Sequence, residues 1–315
     1  MIKGLMLVGS KEMAGTMKDV ALSKKMFSQG GVAVELVEAG AIAVMIGAGD
    51  TDALWIGGEK REWPDFVMNG PVMGTDYYHL GAVLRMFENH GVLCVNPART
   101  LEITRDKLLT YQLAEAAIPG LPLIRTLLVG RSVTADELMD RLGLPLVLKV
   151  AHGSQGIGVT LIETREALEE ALADYAAGGT GDELLAQEAI LTSRGRDLRM
   201  VVGAGEVIHS YVRINDNGFR SNVHQGGRIE TFTPSAELEE RTVRLAEMAD
   251  IQYGSVDYLF GEDPDGFILC ELNSVPGASF LRQALGQGNE ALLKKFVGLP
   301  ARLMARHRAA GGRLE

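Results

Sequence analysis

Two carboxylates and an amide sit close together near the C-terminal end of this chain, at spacings suited to holding a cation. Asp257 lies in the run 253–260, which reads as a strand. The chain turns through Gly261, Pro264 and Gly266 and returns over 267–273 with Glu271 and Asn273. Strand residues alternate faces, so Glu271 and Asn273 share a side. A turn centred near Pro264 pairs residues whose numbers sum to about 528, which sets Asp257 opposite Glu271. The other face then carries Val256, Tyr258, Phe260, Ile268, Cys270 and Leu272, a core surface. Carboxylates about 5 Å apart repel by about 3 kcal/mol at an effective dielectric near 20. Neither strand holds a Lys or Arg to offset this. Magnesium would, since it takes one or two carboxylates and completes its shell with water and phosphate oxygens. A solvated acidic sheet edge is the other reading.

Further polar groups lie upstream. Lys149 interrupts the apolar strand pattern 145–150, and Gly153, Ser154, Gln155, Gly156, Ile157 and Gly158 follow it. Glycines let a backbone turn its N–H groups onto an anion. The spacing is neither a Walker loop nor a dinucleotide fingerprint. A phosphate clamp and an ordinary turn beside a solvated lysine both remain open. Gln187, Glu188, Ala189 and Ile190 end a strand that could offer backbone groups to an adenine edge, or be a plain strand. Asp197 and Arg199 share a face, as a ribose acceptor with an anion-binding cation or as a surface salt pair. Arg220, Ser221 and Asn222 open a glycine-terminated polar loop, where Arg220 offers a two-pronged fork to phosphate or carboxylate. Six scattered histidines make a zinc site improbable. Cys94 and Cys270 lie in apolar runs and read as core residues.

The elements that must position these groups fall into three blocks. Residues 1–96 show a βαβ rhythm, with strands over 5–8, 32–37, 65–68 and 92–95 and helices over 18–27 and 79–89. A helix over 104–117 places Leu108, Leu109, Leu113 and Ala116 on its inner face. The second block, 97–186, holds strands over 123–129, 145–150 and 158–162 and helices over 135–142 and 166–176. The third, 187–315, is strand-rich, with a helix over 237–250, the acidic hairpin and a last helix over 290–307. The 315 residues are 46% hydrophobic and 23% charged, enough for several real cores. The net charge of −10 argues against broad nucleic-acid or anionic-membrane binding. No apolar run approaches the roughly 20 residues of a membrane span, and the N-terminus lacks a signal-peptide core. Two cysteines and no disulfide framework fit a reducing cytoplasm.

The order of these segments resembles the ATP-grasp superfamily, and within it the RimK-type amino-acid ligases. The segments are Thr104-Arg105-Asp106-Lys107, Leu148-Lys149, the 153–159 loop, 187–190, Gly195 to Arg199, 219–224, Val256-Asp257 and Glu271 to Gly277. The likeness covers about residues 97 to 280, with a compatible first domain. It implies a three-domain ATP-grasp fold, α/β followed by α+β: an N-terminal parallel-sheet domain, a central lid domain and a C-terminal mixed-sheet domain. It implies ATP as cofactor, with Lys107 and Lys149 on its phosphates, the 153–156 loop closing over them, 187–190 at the adenine and Asp197 near the ribose. Ser221, Asn222 and Arg220 would lie beside the phosphates and substrate carboxylate. Asp257, Glu271 and Asn273 match the magnesium ligands, with Mn2+ as an alternative ion. Arg199 and Arg220 would stabilise charge on the transferring phosphoryl group. Ser274, Pro276, Gly277 and Arg282 would face the substrate.

The activity this implies is ADP-forming ligation, in which ATP converts a carboxylate into an acylphosphate and an amine displaces the phosphate. Ribosomal-protein-modifying members continue after the equivalent of Gly277 with an acidic, glycine-containing segment. Here Ala278, Ser279, Phe280, Leu281 and Arg282 follow, which points to a small-molecule or peptide carboxylate and an amino acid as partners. A homo-oligomer stays open. The competing readings are a ligase of two small amino acids, like D-alanine ligases or glutathione synthetases, and an ATP-binding regulator without catalysis.

Overall fold

The computed structural model describes residues 2–9, 17–47, 53–70, 77–152, 158–178, 183–216, 218–219, 221, 228–263 and 265–312. The first unit is built on a parallel sheet of order β2-β1-β6-β7, formed by β1 (Ile2–Val8), β2 (Val32–Glu38), β6 (Phe66–Asn69) and β7 (Leu93–Val95). Helices α1 (Lys18–Gln29) and α2 (Tyr77–Asn89) are the crossovers that parallel pairing requires. Because β1 is interior, both its faces are apolar: Met6 and Val8 pack in the same core as Val20 and Phe27 of α1, while Leu5 and Leu7 pack with Leu84 and Phe87 of α2. An antiparallel sheet, β3 (Ile42–Met45), β4 (Ala53–Ile56) and β5 (Glu59–Arg61), adds to the expected βαβ rhythm. Gly57 and Gly58, at φ 62° and 85°, make the tight turn between its last two strands.

Asp106 divides the helix expected over 104–117. Its extended backbone ends α3 (Ala98–Arg105), and its carboxylate accepts from the N–H groups of Leu108 and Leu109 to start α4 (Lys107–Ala117). The buried stripe of α4 is Thr110, Tyr111 and Ala114, whereas Ala116, expected inside, is exposed. Tyr111 sets that rotation, because its hydroxyl donates to the Cys270 carbonyl at 2.7 Å.

The central sheet, of order β10-β9-β11-β8, contains β8 (Thr126–Val129), β9 (Leu146–Val150), β10 (Val159–Ile162) and β11 (Leu184–Glu188). Helices α5 (Ala135–Leu142) and α6 (Arg165–Ala176) close its core through Leu138, Leu168 and Tyr175. A reciprocal cap between Thr134 and Glu137 begins α5. Gln187 and Glu188 pair with Val147 and Leu146, so the unit runs past the boundary expected at 186.

The last sheet is antiparallel, of order β14-β13-β12-β15-β16, from β12 (Arg196–Gly203), β13 (Glu206–Ile214), β14 (Arg228–Thr231), β15 (Tyr253–Phe260) and β16 (Phe267–Asn273). One face, with Leu198, Met200, Val256 and Tyr258, packs on α4 and on α7 (Ala236–Met248). The opposite face divides along the strands. Val201, Tyr211 and Tyr253 pack beneath α8 (Ser279–Gly286), α9 (Glu290–Val297) and α10 (Leu299–Ala309), and these helices share their core with the first sheet. The expected helix over 290–307 is two, parted at Gly298 with Pro300 in the first turn of α10. The remainder of that face is charged, and it carries the site.

Candidate functional site

Antiparallel registers bring the charges together. Strand β12 lies between β13 and β15, which sets Asp197 opposite Arg213 on one side and Arg199 opposite Asp257 on the other. Arg199 donates to Asp257 through Nε to Oδ1 at 2.8 Å and Nη2 to Oδ2 at 2.5 Å. Arg213 grips Asp197 with Nε, at 2.7 Å, and with Nη2, and the same Nη2 reaches Oδ2 of Asp257 at 2.8 Å. Asp257 has no accessible side-chain surface. Burial alone would raise its pKa, but Arg199 and then Arg213 outweigh that and hold the carboxyl below its ordinary range. The hairpin's own strands carry no basic residue, so the neighbouring strands provide the compensation instead. The repulsion argument for a cation therefore loses most of its force at Asp257, and the geometry of Glu271 and Asn273 must carry it.

That geometry is favourable. Asp257 and Glu271 are register partners, as the turn count predicts. Asn273 Nδ2 lies 3.3 Å from Oδ2 of Asp257 and 3.3 Å from Oε1 of Glu271, so one amide nitrogen bridges both carboxylates. A half-turn of the amide would replace that donor with its oxygen, giving two carboxylates and a carbonyl around one point. Such a hard oxygen set fits magnesium with phosphate and water completing the shell. Among the described residues no three His, Cys, Asp or Glu side chains gather as a metal centre, so Asn273 is integral to any cation site here.

The hairpin departs from perfect register at one place. After Asp257↔Glu271 the pairing becomes Tyr258↔Leu269, leaving Cys270 as a bulge. The slip turns Phe267 and Leu269 inward: both are buried, whereas Ile268 and Cys270, expected in the core, are only partly so.

 This leaves the Cys270 thiol beside Lys149 and Glu271, and burial pushes it up to about 12, so it is a thiol and not a thiolate at neutral pH.

The central unit faces this hairpin with its two lysines. Lys149, near the end of β9, is buried, with Nζ 5.6 Å from the centre of the Tyr111 ring. Burial brings its pKa down to about 8, with Lys107 lowering it and Glu271 raising it. Lys107, the first residue of α4, reaches the Ala151 carbonyl with Nζ at 3.4 Å. Tyr111 joins the two sides, hydrogen-bonding with Gln187 and donating to the Cys270 carbonyl. The result is a cationic strand end set against an acidic hairpin.

The other expected residues are placed as follows. Gln187 is buried and donates to Thr126 Oγ1 at 2.6 Å, and the Glu188 carboxylate pairs with Arg125 Nε at 2.7 Å. Since β11 is an interior strand, its backbone is engaged through Glu188, and only Ala189 and Ile190 lie beyond the ladder. Asp197 is engaged by Arg213 and by Ser221 Oγ at 2.6 Å. Arg199 has two of its nitrogens on Asp257, so it acts on the site chiefly by fixing that carboxylate. Ser274 Oγ accepts from Thr104 at 3.1 Å and its carbonyl accepts from Asn96 at 2.6 Å. Pro276 is buried, Gly277 is exposed, and Arg282 lies exposed on α8. Gly153, Ser154, Gln155, Gly156, Arg220 and Asn222 lie outside the described residues.

Three contributors were not anticipated: Arg213, Tyr111 and Asn96. Arg213 had a signal, because a turn at Ala204 and Gly205, both at positive φ, sets residues summing to about 410 opposite each other and so pairs it with Asp197. Tyr111 was missed because the inner face is rotated from the expected one: Leu109 and Leu113 pack on the core as expected, but Tyr111 and Ala114 lie at its centre and Ala116 is exposed. Asn96 depends on tertiary contacts alone. It accepts from the N–H groups of Gln252 and Tyr253 and donates to the carbonyls of Tyr253 and Ser274.

Residues 104–293 match the model of the RimK-like ATP-grasp domain. A probable alpha-L-glutamate ligase of Cellvibrio japonicus is 35% identical over 271 residues, covering 84% of this chain and 86% of that protein. One from Methanococcoides burtonii is 33% identical over 246 residues, 76% of this chain and 78% of that protein. Among solved structures, the ATP-grasp ligase PsnB with its precursor peptide PsnA2 and AMPPNP superposes with a TM-score of 0.65 at 18% identity, over 93% of this chain and 98% of that one. The D-alanine–D-alanine ligase of Bacillus anthracis with ATP gives 0.66 at 16% identity, over 99% of this chain and all of that one. Those two likenesses speak to fold.

Proposed function

The chain belongs to the RimK-like ATP-grasp family of ADP-forming carbon–nitrogen ligases, and from that premise we propose that it attaches L-glutamate or a similar amino acid to a small-molecule or peptide carboxylate. The observation that carries this reading is the cationic end of β9 and α4, with Lys149 and Lys107, set against Asp257, Glu271 and Asn273 across the Tyr111–Cys270 bond. Positive groups on one wall and hard oxygens on the other suit a nucleotide polyphosphate and its divalent ion. The names of the curated relatives support glutamate as the amine donor.

The residues divide the work by chemistry. Lys149 and Lys107 neutralise phosphate charge, and Glu271, Asn273 and Asp257 would hold magnesium. Bound there, the ion would offset charge on the transferring phosphoryl group. Arg199 keeps Asp257 ionised and fixed in place. The substrate carboxylate becomes an acylphosphate, and amine attack expels phosphate and leaves an amide. Alignment and charge stabilisation supply most of the acceleration in such transfers. Ala189 and Ile190, beyond the ladder, are the backbone we assign to the adenine, and Ser274, Gly277 and Arg282 border the acceptor.

The test is ADP release from Mg·ATP with L-glutamate and a panel of carboxylate acceptors, with mass spectrometry of each hit. A product heavier by one glutamyl residue supports the reading. ADP release with pairs of small amino acids alone would replace it with a dipeptide ligase. Glu271→Gln should abolish ADP release with the fold retained, and full turnover in that variant would remove the metal assignment.

A further inference from the structure

Arg213 makes two unequal connections. Its fork is bidentate on Asp197, while Asp257 receives a single bond from Nη2, at 2.8 Å. Arg199, by contrast, holds Asp257 through both Nε and Nη2. Arg213 can therefore release Asp257 and keep its main anchor, whereas Arg199 cannot. The oxygen it would release is also the relevant one. Oδ2 of Asp257 is the atom 3.3 Å from Asn273 Nδ2, which in turn touches Glu271. Oδ1 faces Arg199 Nε and Ser255, while Oδ2 keeps its bond from Arg199 Nη2 at 2.5 Å, so the departure of Arg213 opens one acceptor position on Oδ2 and does not free the whole oxygen. A cation held by Glu271 and Asn273 would need Oδ2.

We propose that Arg213 is a placeholder for the divalent cation, occupying Oδ2 of Asp257 until a nucleotide polyphosphate arrives with the metal. This rests on the metal assignment made above. Two guanidiniums face three carboxyl groups in the cluster of Arg199, Arg213, Asp197, Asp257 and Glu271. A bare divalent ion entering it meets the charge of Arg213 and must displace a charge-assisted hydrogen bond. An ion carried by a polyphosphate brings its own anion, which offsets the guanidinium charge. Metal and nucleotide are thereby made to bind together, and the acidic hairpin is kept from trapping free ions.

Manganese is the probe, with binding read by electron paramagnetic resonance of the free ion and by calorimetry, with and without AMPPNP. The unmodified chain should bind Mn2+ weakly alone and much more tightly with AMPPNP. Arg213→Gln should tighten the binding of Mn2+ alone by about tenfold or more. Binding of Mn2+ alone by Arg213→Gln no tighter than by the parent overturns the proposal. So does a parent that binds Mn2+ equally well with and without AMPPNP, a result that needs no folded variant. Glu271→Gln separates the two levels: if it binds Mn2+ with AMPPNP as the parent does, the metal assignment itself is wrong.

Discussion

Lys149 gives the site a pH dependence whose sign can be worked out. Its folded pKa lies near 8, below the ordinary 10.5, because burial disfavours the charged form. Nucleotide binding uses the charged form, so ATP affinity should fall as pH rises through about 8. A fluorescent ATP analogue titrated between pH 6.5 and about 9.5 would show this, and Lys149→Met should flatten the profile. A profile equally steep in Lys149→Met would take the lysine out of the binding site. Stability of the nucleotide-free chain should run the other way. Between about pH 8 and 10.5 the unfolded lysine holds more protons than the folded one, so this group contributes stability as pH rises. Individual residues were legible in sequence where their chemistry was local: Asp257 and Glu271 could be paired by counting from a turn. What opposes Asp257 could not be seen from the hairpin, because Arg199 and Arg213 belong to strands far away in the chain.

Elements place these groups through their ends and breaks. Asp106 ends α3 and caps α4, putting Lys107 at the first position of the new helix. Asp106→Ala should cost about 1 kcal/mol of stability, the worth of an N-cap. It should also weaken ATP binding, since Lys107 loses its fixed start. A stability loss with unchanged ATP affinity would mean that Lys107 does not depend on the cap. The strand and helix periods revealed most elements, and the errors came where a helix is interrupted. Gly298 did not break the amphipathic pattern, so α9 and α10 read as one helix, whereas the helix expected from 104 ran across Asp106 and missed most of α3. The short β3-β4-β5 sheet was not anticipated, since it is an antiparallel addition to the βαβ rhythm read over the first 96 residues.

At the scale of the whole molecule the cores are not divided as the chain order is. The first sheet and the C-terminal helices share one core, in which Phe27 lies 5.4 Å from Phe66 and 6.2 Å from Phe296, and Tyr253 lies 5.5 Å from Phe296. Asn96 adds four hydrogen bonds across the same junction. The central unit instead closes its own core around Leu138, Leu168 and Tyr175. Its ties to the last sheet run through Tyr111, Leu123 and the bond from Leu269 N–H to the Pro122 carbonyl, at 3.0 Å. The first and last units should therefore unfold as one, and the central unit should open separately. Phe296→Ala, costing about 4 kcal/mol for a buried ring, should speed hydrogen exchange in β1 and β6 as well as in β12 and β15. It should leave β8, β9 and β11 unchanged, while AMPPNP with magnesium should slow exchange in those three strands, because the ligand would span both walls of the cleft. Faster exchange confined to the C-terminal sheet would show that the shared core is not cooperative. Unaltered exchange in β9 on adding nucleotide would mean that the lysine-bearing strand is not part of the binding wall.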